Sequence, residues 1–137
     1  MNKKLVLPAF TLRAAKQNIQ RIENAWNSKD PTKIATVYTS NCEWYNGPDF
    51  LCGGSSLQTF LKNKREKELG FKLKLEYWAH TDKSIAVRFE YEYHTETGQW
   101  HRAYGNETWE FTEDGLIEKL FIRIVNSPIC ESERELY

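Results

Sequence analysis

The sequence predicts an α+β fold, and the reading rests on a change of hydrophobic period and on the ring content. Up to about residue 70 apolar residues recur at spacings of three and four, which is helical; from Phe71 onward they alternate with polar ones, which is extended. The chain also carries five Trp, seven Tyr and seven Phe among 137 residues. Helices first and a long sheet after them give helices packed on one face of a mostly antiparallel sheet.

The first helix begins after Thr11, a suitable N-cap, and Leu12, Ala15, Ile19, Ile22 and Trp26 share one face. Arg13, Lys16, Gln20 and Lys29 take the other face, so one side of this helix is solvated. Asp30-Pro31 ends it and opens a short second helix, with Pro31 at the first helical position and Ile34, Val37 and Tyr38 apolar. "CEWYNGPDFLCGG" reads as two short extended pieces around an Asn46-Gly47-Pro48 turn. Ser55-Ser56-Leu57-Gln58 has the form of a capping box for a third helix. That helix turns Leu57, Phe60 and Leu61 inward and the mixed-sign run "KNKREKE" outward, as a solvated face.

Four long strands follow. Phe71, Leu73, Leu75, Tyr77 and Ala79 alternate with polar residues, as do Ile85, Val87, Phe89, Tyr91 and Tyr93. "HRAYGNETWEF" is the next strand, and the last runs from Leu116 to about Asn126 and ends near Pro128. Tight turns between them make an antiparallel meander.

"HRAYGNETWEF" is awkward for a buried strand. Trp109 and Phe111 mark His101, Ala103, Gly105 and Glu107 as sharing the helix-facing side, provided that no bulge intervenes. Ala103 and Gly105 then remove side-chain volume beside large neighbours, as a pocket requires, and Glu107 points into it. Alternatively Gly105 marks a bulge that swaps the faces, and Glu107 is a structural partner of Arg123 or Arg88. The expected pocket lining is Trp26, Tyr38, Trp44, Tyr45, Tyr91, Gly105, Trp109 and Arg123, with Glu107 the candidate acid or base. Tyr38 or Tyr45 is placed to donate to a developing oxyanion.

On the opposite face Arg88, Glu90, Trp100, Arg102 and Tyr104 combine rings with both signs of charge, the composition of a protein interface, and predict a homodimer through the sheet.

The charge balance, 19 basic against 19 acidic residues, leaves no footprint for nucleic acid or an anionic membrane. "LVLPAF" is too short for a signal peptide or a membrane span. Cys42, Cys52 and Cys130 have no metal-ligand spacing and read as reduced thiols in a cytoplasmic protein. His80, His94 and His101 fall toward strand ends, so no metal triad and no cofactor are expected.

"ENAWNSKDP", "IAVRFEYEYHTETGQWHRAYGNETWEFTEDGL" and the late "SPI" resemble the family known as domain of unknown function 1348. The succession of elements resembles the nuclear transport factor 2-like fold, also called SnoaL-like or ketosteroid-isomerase-like. The resemblance spans about Pro8 to Glu133, as one domain over residues 1–137. It implies a cone-shaped half-barrel with a cavity between helices and a curved sheet, and dimerisation through that sheet. Against the family pattern, "WYNGPDF", "GGSS" and "RIVNSPI" are departures at segments that rim the cavity in related folds. The expected ligand is a small, largely apolar molecule. Three functions remain open: acid–base catalysis of the isomerase, cyclase or dehydratase type, a non-catalytic binding module, and a dimeric scaffold whose cavity is filled.

Overall fold

The structure is a computed structural model and describes residues 7–53 and 56–137. Its elements are α1 (Leu12–Asn27), α2 (Pro31–Ala35), β1 (Tyr38–Asn46), β2 (Asp49–Cys52), α3 (Ser56–Lys67), β3 (Leu69–His80), β4 (Ser84–His94), β5 (Trp100–Phe111) and β6 (Ile117–Ile129). A 3-10 turn over Glu131–Glu133 follows. Three helices pack on one six-stranded sheet of order β2-β1-β6-β5-β4-β3. All neighbours are antiparallel except β1 and β6, which run parallel.

Local chemistry sets the helix ends. The Thr11 hydroxyl accepts from the Ala14 amide at 3.0 Å, and Asp30 accepts from Thr32 at 2.9 Å with Pro31 opening α2. Ala15, Ile19 and Ile22 are buried as their spacing requires, but Leu12 at the first turn is exposed. The capping box expected at Ser55 lies outside the described residues. α2 is shorter than its apolar side implied: it stops at Ala35, and Tyr38 is the first residue of β1.

α1 also finishes the sheet. β3 is an edge strand, whose unpaired backbone groups invite foreign strands. Asn27 of α1 donates to the Leu73 carbonyl at 2.9 Å and accepts from its amide at 2.7 Å, taking the place of a next strand. Glu23 accepts from the Leu75 amide at 2.7 Å in the same way.

Across the meander the register is unbroken where it matters. Val87, Phe89 and Tyr91 of β4 stand opposite Glu107, Gly105 and Ala103 of β5, with no bulge at Gly105. Irregularities sit elsewhere: between Glu110 and Phe111 where β5 meets β6, and in β3 between Leu69 and Lys72 and between Tyr77 and Ala79, so the regular alternation expected through Ala79 breaks there. β6 runs through Pro128 to Ile129, so its end lies beside Pro128, where the sequence places it. Its pairing with β1 ends at Ile122, so Pro128 lies where no strand flanks that side and its missing N–H is harmless.

Gly105 has a different reason from the one the sequence implied. A Cβ there would collide with the backbone carbonyl oxygen of Arg123 on β6. Glycine is present because the two backbones approach closely, and it does not line the cavity.

Candidate functional site

Between the helices and the inner sheet face is a cavity of about 170 Å³. α1 contributes Ile22 and Trp26, β1 Tyr38 and Trp44, and α3 Phe60 and Lys64. The sheet floor carries Phe71, Leu73 and Leu75 of β3, Phe89 and Tyr91 of β4, Glu107 and Trp109 of β5, and Leu120, Ile122 and Ile124 of β6. Strand parity explains the floor: on β4 and β5 the odd residues share a face, and register with β6 brings Ile122 beside Glu107.

The walls are mostly apolar, and the polar groups are few. Glu107 accepts from the Trp109 indole N–H at 2.7 Å, two residues along the same strand. Burial pushes its carboxyl up to about 7, against smaller opposing pulls from the Trp109 bond and the Lys64 charge. No arginine pairs with it: Arg88 and Arg123 project from positions of opposite parity, and Arg123 is exposed with its guanidinium against the Gly47 turn.

Tyr38 accepts from the Trp26 indole N–H at 2.9 Å, which leaves its own proton free for another acceptor. Burial, with the nearby Glu107 charge second, holds this hydroxyl well above its ordinary range. Tyr91 likewise accepts, here from the Lys64 ammonium at 3.2 Å, and burial pushes it up to about 12. Lys64 also lies 2.8 Å from Glu68 and 4.5 Å from the centre of the Tyr91 ring. Burial works against its charge, but Tyr91 and Glu68 outweigh it and the ammonium is raised.

Of the residues expected in the pocket, Trp26, Tyr38, Trp44, Tyr91, Trp109 and Glu107 converge on the cavity. Tyr45 does not. It stacks at 5.6 Å on Phe121, itself on the solvent side, and donates to Glu43, because successive residues of β1 face opposite ways. Tyr45 is therefore no oxyanion donor, Arg123 lines no pocket, and Gly105 serves strand approach. Lys64 was missed. It lies inside "KNKREKE", where sequence pattern marks a solvated face, yet its long side chain reaches back to the cavity mouth with 19 % of its surface exposed.

The opposite sheet face also differs from expectation. Trp100 and Arg102 are covered by the chain's own C-terminal segment. Arg134 lies 4.7 Å over the Trp100 ring and Tyr137 packs edge-on against it. Arg102 pairs at 3.0 Å with Glu92, whose fully buried carboxylate also accepts from the Glu135 and Leu136 amides. Arg88, Glu90 and Tyr104 remain on the uncovered part.

Among the described residues, no group of three or more His, Cys, Asp or Glu side chains is placed to hold a metal ion. Cys42 and Cys52 are free and buried, with burial pushing them up to about 12 and about 11, so neither is a ready thiolate. No described helix is long and apolar enough to cross a membrane.

The fold is that of nuclear transport factor 2-like proteins. An epoxide hydrolase/cyclase-like enzyme, SalBIII, of pyran ring formation in the polyether salinomycin superposes with a TM-score of 0.74 at 15% identity, covering 85% of this chain and 97% of its own. The BvnE pinacolase of Penicillium brevicompactum gives 0.69 at 17% identity, covering 83% of this chain and 88% of its own. An LEH-like epoxide hydrolase of M. tuberculosis gives 0.66 at 15% identity, covering 81% of this chain and 82% of its own. No curated protein matches in sequence. A family model spans nearly the whole chain, residues 8–137, and the protein belongs to the family it describes, "Protein of unknown function (DUF1348)".

Proposed function

We propose that this protein is an acid–base catalyst acting on a small, largely apolar molecule held in the cavity, with Glu107 as the proton carrier. The observation that carries the reading is the Glu107 carboxyl, set on an apolar wall and raised to about 7. A proton carrier works best with its pKa near the operating pH, contributing about 10²–10⁴-fold in rate. At neutral pH both its forms are populated, so it can take a proton and return it.

In this mechanism the carboxylate removes a proton from the carbon next to a ligand carbonyl. The electron pair moves onto the carbonyl oxygen, where the uncommitted Tyr38 proton meets the developing charge. Return of the proton to another carbon isomerises the molecule, and return to a leaving oxygen dehydrates it. The epoxide hydrolase/cyclase-like and pinacolase neighbours support chemistry at carbon–oxygen bonds within this fold.

The test is deuterium wash-in from D2O next to the carbonyl of cyclohexanone, followed by proton NMR. Wash-in that follows a pKa near 7 and falls at least about 100-fold in Glu107→Gln is the expected result. Equal wash-in for the two proteins overturns the reading.

A binding module without catalysis is the second reading, favoured by the Trp109 indole that fixes one carboxyl oxygen. It requires that Glu107→Gln bind as well as the wild type and that neither protein exchange protons.

We further infer that a second copy covers the uncovered outer face. Tyr104, Phe121 and Val125 there are 40 to 50 % exposed, and Arg88 and Glu90 beside them offer both signs of charge for an isologous contact.

A further inference from the structure

The polar groups of the cavity fall into two poles, and their hydrogen-bond ledger is one-sided. At the first pole Tyr38 accepts from Trp26, so its proton has no acceptor among the described residues. At the second, Tyr91 accepts from Lys64, so its proton is equally uncommitted. Lys64 has three N–H donors; one goes to Tyr91, the ammonium also pairs with Glu68 at 2.8 Å, and donor capacity remains. Among the described residues, the one strong acceptor facing these donors from the cavity floor is Glu107, which lies at the first pole with one oxygen already bonded to Trp109.

Strand geometry separates the poles. Tyr91 stands opposite Ala103, and Glu107 is four residues farther along β5, roughly 13 Å of strand. Apolar side chains, among them Leu75, Phe89 and Ile124, line the wall between.

Volume limits the occupant. An apolar cavity of about 150 Å³ accommodates benzene, so about 170 Å³ suits one ring or a short chain and excludes a fused polycycle. Two donors, one of them cationic, in a largely buried setting favour an anionic oxygen pair, since charge-assisted bonds are about twice as strong as neutral ones.

We propose that the ligand is a small carboxylic acid of one-ring or short-chain size, its carboxylate held by Lys64 and Tyr91 and a neutral oxygen function placed at Tyr38 and Glu107. This rests on the cavity reading above and adds its substrate class. Lys64 and Tyr91 are binding residues in it, and the proton chemistry stays at the far pole.

The experiment uses cyclohexanone and 4-oxocyclohexanecarboxylate at pH 8, read by intrinsic fluorescence, because Trp26, Trp44 and Trp109 all border the cavity. In the wild type the acid should bind about tenfold or more tighter than the ketone, the worth of hydrogen bonds to a charged group. In Lys64→Met that advantage should vanish while ketone affinity is kept. Tyr91→Phe, which retains the ring, should reduce it by about threefold and guards against a Lys64→Met variant that does not fold. An advantage that survives in Lys64→Met overturns the proposal. So does a ketone that binds as tightly as the acid, in which case the cavity reading stands alone. Fluorescence unmoved by either compound overturns both.

Discussion

The Trp109 indole donates to the Glu107 carboxylate at 2.7 Å across a single intervening residue of β5. Two side chains at i and i+2 of a strand share a face, so this contact is local in sequence. It orients the carboxyl and weakly favours its charged form, while burial, the larger effect, favours the neutral one.

That balance gives stability a pH dependence. The folded carboxyl sits at about 7 against an ordinary value of 4.5, so between these the native state holds the proton that the unfolded chain has released. Stability contributed by Glu107 is present below pH 4.5 and is lost as pH rises to about 7. The loss amounts to roughly 3 kcal/mol. Glu107→Gln keeps an acceptor for Trp109 and removes the charge. Its melting temperature should exceed the wild type's at pH 8 and match it near pH 4.5. An unchanged difference across that range would show that Glu107 carries no raised pKa.

Gly105 answers to the β6 backbone rather than to a ligand. Gly105→Ala should destabilise the protein by about 1–3 kcal/mol in urea unfolding, because the Arg123 carbonyl occupies the space of the new methyl group. A neutral Gly105→Ala would mean that β5 and β6 have room to separate.

Glu92 is a fully buried carboxylate that depends on Arg102 and on two amides of the C-terminal segment. Removing its cation strands the charge, which costs about 3–5 kcal/mol. Arg102→Met should therefore lower stability by that order. It should also speed hydrogen exchange at the Glu135 and Leu136 amides. Protection that persists there would show the segment to be held by other contacts.

Self-association through the outer face should appear as a dimer in sedimentation at micromolar concentration. Phe121→Glu, within the exposed apolar patch, should release monomers. Trp100→Glu is the wrong probe, since that ring lies under Arg134 and Tyr137 of its own chain. A wild-type monomer at this concentration ends the idea.

Much of this architecture was legible in the residues because it is set by short-range parity. The period of two places Glu107, Trp109, Phe89 and Tyr91 on one side of the sheet, and the helical spacing of Ile19, Ile22 and Trp26 places that face over them. Thr11 and Asp30-Pro31 set the helix starts through bonds to residues two or three positions away. Those facts needed no knowledge of which strand lies beside which.

What tertiary structure alone decided depends on neighbours distant in the chain. Gly105 looked like missing volume in a pocket until β6 brought the Arg123 carbonyl against it. Tyr45 and Arg123 share the outer face, where strand pairing, not composition, sets Tyr45 on Phe121. Lys64 reads as one more charge on a solvated helix, and only the crossing of α3 over the cavity brings it to Tyr91, twenty-seven residues away. Trp100 and Arg102 read as an interface because rings and charge pairs seek cover. The chain itself supplies that cover, from a segment more than thirty residues farther on. Parity along one element follows from the geometry of consecutive residues, whereas the partner of each face is chosen by the packing of the whole chain.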